Sequence, residues 1–106
     1  MEIPEIIQAI NSSMAIELPE KLPLDEVKIR LANYINDLIR VNFEKLVSLL
    51  YRIDVSEMKL KRLLQEQPGE DAGNIIANLI IERQVQKIEL RKQNRPDTDI
   101  PEMEKW

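Results

Sequence analysis

The sequence predicts an all-α fold: a compact bundle of about four helices with a long C-terminal helix and flexible acidic ends. Three observations carry this expectation. Apolar residues recur at three-and-four spacing through residues 24–94, the period of a helix with one buried face. Capping residues restart that pattern at Asn42, at Asp54 or Ser56, and at Asp71. The length of 106 residues suits one domain with one modest core, since a second domain would leave neither half enough interior.

Residues 1–23 read as an N-terminal arm. Pro4 suits a first helical position, and Ile6, Ile7 and Ile10 share one face of a short helix over residues 4–10. The prolines at 19 and 23 push Leu18 and Leu22 toward extended geometry, so the helix gives way to extended chain. Residues 24–94 form the four-helix domain. Its first helix runs from about Leu24 to Arg40, with Val27, Leu31, Tyr34, Ile35 and Leu38 on the buried side. Asn42 caps a second helix through Ile53, with Val41 and Leu46 as a hydrophobic staple. Phe43, Leu46, Val47, Leu50 and Ile53 are its expected buried face. A third helix starts from either an Asp54–Glu57 capping box or a Ser56 cap with a Val55–Leu60 staple, and ends near Gln67 before Pro68 and Gly69. Asp71 caps the fourth, from Ala72 to about Asn94. Residues 95–106 carry Pro96, Pro101 and four acids and offer little to bury, so they read as a disordered acidic tail.

The fourth predicted helix is the most informative. At about 1.5 Å per residue it spans roughly 34 Å, against roughly 25 Å for the first. Ile75 to Ile81 is apolar on more than one face, which suits a central position. Beyond it the apolar surface narrows to Ile81, Val85 and Ile88. A stripe that outruns a small core wants a cover. Two covers are available: a helix of another molecule, which this reading favours, or the N-terminal arm folded back.

Composition excludes several chemistries. With no Cys and no His, the chain has no disulfide, thiolate nucleophile or zinc-thiolate site, and lacks the commonest catalytic base and metal ligand. No catalytic, cofactor-binding or metal-binding residue is assigned. Ser56 and Lys59 fit an S-x-x-K pattern, in which a lysine takes the serine proton. The same serine suits a helix N-cap, and no companion motif supports catalysis. The loop at Gln67–Asp71 places acids where a phosphate needs amides and a lysine, so it reads as a turn. No run is long enough to span a membrane, and Glu2 and Glu5 stand where a secretory signal carries basic residues. A cytoplasmic location is expected.

The formal charge of −4 is unevenly spread. Residues 1–22 and 96–106 each carry −3, and the segment between them +2. Within it, Arg83, Lys87 and Arg91 form a ridge at steps of four, and Lys59 and Arg62 lie on the third helix behind a turn like a helix-turn-helix junction. These five are the candidate nucleic-acid contacts, though such a footprint is normally more clearly basic. Aromatics make up 4% of residues, too few for a stacking platform. Tyr34, Phe43 and Tyr51 sit among apolar helix positions and are expected in the core.

The runs Phe43 to Lys61 (FEKLVSLLYRIDVSEMKLK) and Asn74 to Gln84 (NIIANLIIERQ) resemble small all-helical proteins of Bacteroidota bacteria, a group with no known activity. The resemblance covers about residues 24–92 and implies a bacterial, cytoplasmic protein; it transfers no functional residue. The expected function is a non-catalytic protein-interaction module. It binds itself, as a homodimer, or a partner protein through Ile81, Val85 and Ile88. The alternative is a small nucleic-acid-binding regulator.

Overall fold

Five α-helices, α1 (Ile3–Met14), α2 (Leu24–Val41), α3 (Phe43–Ile53), α4 (Glu57–Glu66) and α5 (Ala72–Gln93), build the computed structural model. It describes residues 2–67, 69 and 71–93, and no strand occurs among them. The expected tail at 95–106 lies outside the described residues.

The helix starts are set by the local chemistry that the sequence advertises. The Asn42 side chain accepts from the Lys45 amide, the Ser56 hydroxyl from the Lys59 amide, and the Asp71 carboxylate from the Asn74 amide. Each satisfies a first-turn N–H that has no partner inside the helix. Ser56 therefore wins over Asp54 as the α4 cap. Asp54 instead closes α3 in the left-handed region at φ 68°, a conformation that Asp tolerates better than most residues. The Val41–Leu46 staple does not form: Leu46 is buried but Val41 is 72% exposed.

α5 is the central element. Of residues 75–81 only Asn78 is exposed, and α5 touches each of the other four helices. α2 contributes Val27, Leu31, Ala32, Ile35 and Leu38, all buried. Its approach to α5 is set by Gly73. A Cβ at that position would lie 2.6 Å from the Ala32 carbonyl oxygen and 2.6 Å from the Asn36 side chain. Asn36 is not free to swing away, because its Nδ2 donates to Asp71 at 2.8 Å, at the cap of α5 itself. Ile75 and Leu79, though buried, lie outside the main core cluster and form a small apolar layer beneath α4. α4 itself contains no fully buried residue.

The sequence leaves open whether the N-terminal arm packs on the helical body. It does: Ile6, Ile7, Ile10 and Met14 are buried in the same core as α2 and α5. α1 runs antiparallel to the C-terminal half of α5, with Glu5 paired to Lys92 at 3.3 Å and Ser13 bonded to Gln84 at 2.9 Å. Gln84 is buried, so this hydrogen bond satisfies a polar group that would be costly if left alone. After α1 the chain is folded back by Asn11. Its amide donates to the Leu18 carbonyl at 3.0 Å, and its carbonyl accepts from the Leu18 amide at 2.8 Å.

Gly73→Ala tests the close contact of α2 and α5. Helix propensity alone favours alanine by about 1 kcal/mol, whereas overfilling a packed contact costs about 1–3 kcal/mol. Because the clash includes a backbone carbonyl, a net loss of stability is expected in chemical denaturation. A rise in stability would show that the helices are not in contact there.

Candidate interaction surface

The stripe expected to meet a partner is occupied within the chain. Ile81 and Ile88 are buried and Val85 is half-buried, all three belonging to or packed on the main core. α1 is the cover, through Ile6, Ile7, Ile10 and Met14. The expectation of an open interface on the long helix is thus corrected. The stripe does outrun the rest of the core, but a segment some 75 residues away in sequence closes it.

The surface left without a cover is on α3. Seven of its eleven residues are apolar: Phe43, Leu46, Val47, Leu49, Leu50, Tyr51 and Ile53. At about 100° per residue they fill one unbroken sector of roughly 200°. The core uses one edge of that sector, Leu46, Leu49 and Ile53, with Leu50 half-buried beside it. The other edge faces outward: Phe43 is 58% exposed, Val47 48% and Tyr51 87%. Phe43, Val47 and Tyr51 fall at steps of four and make one row along the helix. This corrects the expected buried face, which counted Phe43, Val47 and Tyr51 as core and missed Leu49. The signal was present in the width of the apolar sector, about twice what one contact needs. Tyr34 does pack on the core edge as expected.

The basic residues are dispersed by carboxylates. Lys59 forms an ion pair with Glu82 between α4 and α5, and Arg83 forms one with Asp54 at 3.0 Å, between α5 and the end of α3. Arg83 is half-buried and also donates to Gln86; its Nε is buried with no partner among the described residues. Two of the five candidate nucleic-acid contacts are therefore committed to holding helices together. Lys87 and Arg91 line a groove of about 630 Å³ between α1 and α5, and make no ion pair among the described residues. Arg62 is exposed on α4. Arg83, Lys87 and Arg91 keep their step-of-four row on α5, and Lys59 and Arg62 lie apart from it on α4.

The remaining candidates carry structural duties. Ser56 and Lys59 are used as a cap and in an ion pair, so the amine is directed at Glu82 and not at the hydroxyl. A smaller hollow of about 340 Å³ between α4 and α5 is lined by Leu63, Ile75 and Leu79 with Lys59, Glu82, Gln67 and Asn78. Among the described residues, no group of three or more His, Cys, Asp or Glu is placed to hold a metal ion, and no helix is long and apolar enough to cross a membrane. Comparison with protein-family models, curated proteins and solved structures gives no match.

The two edges of α3 separate in a stability measurement. Leu46→Ala removes a buried side chain and is expected to cost about 2–5 kcal/mol. Val47→Ala, one residue away on the outward edge, should stay within about 0.5 kcal/mol of the wild type in the isolated monomer. Equal losses at both positions would place Val47 in the core and dissolve the outward stripe.

Proposed function

We propose that this chain is a non-catalytic protein-interaction module that makes its contact through the outward apolar row of α3. The observation that carries the reading is the row itself. Exposed apolar residues elsewhere, such as Ile29, Met58, Leu64 and Leu90, are single positions on different helix faces, which is ordinary for a folded surface. Phe43, Val47 and Tyr51 instead lie side by side on one short helix, with Val41 exposed just before it. Contiguous exposed apolar surface of this kind marks interaction sites. Phe and Tyr are also among the residues that anchor interfaces.

The contact can be sizeable for so short a helix. Fully burying a Val or Phe side chain contributes roughly 1.5–3 kcal/mol, and a Tyr adds a hydroxyl that tolerates the interface rim. The non-catalytic part of the reading is supported by the lack of His and Cys and by the commitment of Ser56 and Lys59 to a cap and an ion pair. The nucleic-acid reading is not favoured, because Glu82 and Asp54 neutralise two of the bases it needs.

Photo-crosslinking from inside cells tests the reading. A benzophenone side chain at position 47 should give discrete protein adducts, whereas one at Gln65, exposed on α4, should give none. Absence of adducts at position 47, or the same diffuse adducts at both positions, would refute an α3 contact surface.

A further inference from the structure

We infer that the partner for α3 is a second copy of this chain, paired antiparallel about a two-fold axis that passes beside Val47 and Ser48. The inference rests on α3 being an interaction surface and adds the identity of what it binds. The evidence is how charge is arranged around the apolar row. Phe43, Val47 and Tyr51 are centred on Val47, and the neighbouring exposed row, Glu44, Ser48 and Arg52, is centred on Ser48. The two centres lie one residue, about 1.5 Å, apart along the helix, so a point between them serves as a common midpoint to within that offset. One end carries an acid and the other a base.

Rotation of a second α3 end for end about that midpoint matches both rows. Phe43 of each copy meets Tyr51 of the other, and Val47 meets Val47. Glu44 of each copy meets Arg52 of the other, so one symmetric contact makes two ion pairs. A parallel pairing would instead set Glu44 against Glu44 and Arg52 against Arg52. Neither Glu44 nor Arg52 makes an ion pair or hydrogen bond among the described residues, so both charges are available to a partner. Antiparallel alignment also places each helix N-terminus beside the other's C-terminus, which the helix dipoles favour. Ser48 and Val47, the smaller side chains of the two rows, lie at the axis, where packed helices approach to about 8–10 Å. Such self-complementarity defines an isologous dimer interface. Specific interfaces typically bury about 800 Å² per partner, and Phe43 and Tyr51, 58% and 87% exposed, can supply only a part of that. The pairing sits at the small end of the range, so association is expected to depend on concentration.

Sedimentation equilibrium of the full chain tests this at low salt between about 1 and 500 µM, a range chosen for a small interface. The wild type should shift from monomer to dimer within it. Val47→Glu should weaken dimerisation about a hundredfold or more, because two carboxylates then face each other at a buried axis. Glu44→Arg and Arg52→Glu should each weaken it about tenfold, and the double reversal Glu44→Arg/Arg52→Glu should restore it. Added salt should shrink the single-reversal effects. Circular dichroism melts of all four variants at dilute, monomeric concentration should match the wild type, which separates lost association from lost folding. A wild type that stays monomeric throughout overturns the inference, as does a double reversal no better than either single one. If the wild type is monomeric while position 47 still crosslinks to a different polypeptide, α3 remains an interaction surface and only the second copy falls. No dimer and no crosslink removes both.

Discussion

The structure depends on one constraint: the N-terminal half of α5 is apolar over about two thirds of its circumference, with Asn74, Asn78 and Glu82 on the exposed remainder, and that broad apolar sector must be enclosed. Ile75, Ile76, Ala77, Leu79, Ile80 and Ile81 point around the helix and are all buried. No single neighbour can cover such a surface, so α2, α3, α4 and α1 each give it one face. α2 approaches closest because Gly73 leaves room for the Ala32 backbone. α1 is recruited because α5 continues past the reach of the others, through Gln84 and Ile88 to Lys92. The consequence for function is direct. The strip that this half of α5 leaves exposed, Asn74, Asn78 and Glu82, is polar, so contiguous exposed apolar surface has to be sought on the enclosing helices.

The elements legible in the sequence were those fixed by neighbours a few residues away. Asn42, Ser56 and Asp71 cap the helices that they precede because a cap is a bond to an amide two or three positions on. The central position of residues 75–81 was equally legible, since a run apolar on more than one face, broken only by Asn78, needs more than one neighbour to cover it. Two features were not. That Ile81, Val85 and Ile88 need a cover follows from their spacing, but the choice between α1 and another molecule depends on whether Asn11 turns the chain back at Leu18. That pairing has no periodic signature. The burial of α3 was misplaced by about one side-chain row. When an apolar sector is wide enough for two faces, the spacing gives both, and only tertiary packing decides which is inside.

The charged residues show a similar division of labour. The body outside the acidic N-terminal segment and tail is slightly basic by composition, yet its bases act singly. Lys59 and Arg83 pair with Glu82 and Asp54 across the joints that α4 and α3 make with α5. Lys92 does the same for α1 through Glu5. Exposed pairs of this sort contribute little each, about 0–1 kcal/mol, but they complement joints that apolar contacts already set. α4 relies on such help most, because it buries no residue fully and reaches the main core only through the partly buried Leu60.

α3 then carries two adjoining apolar strips on one helix, one inward and one outward. Leu46, Leu49 and Ile53 hold it to the core, while Phe43, Val47 and Tyr51 stay outside. The outward strip adds less to the monomer than the inward one, and exposed aromatic surface invites unwanted association. Its orientation, however, is fixed by the core. Asp54 ends α3 in a left-handed turn and bonds Arg83 of α5, so the helix cannot roll to bury the other strip without breaking that link and exposing Leu46. The packing that encloses the apolar sector of α5 thus fixes how α3 presents its outward row, and a rigid, pre-oriented row would have little ordering entropy to lose in a contact.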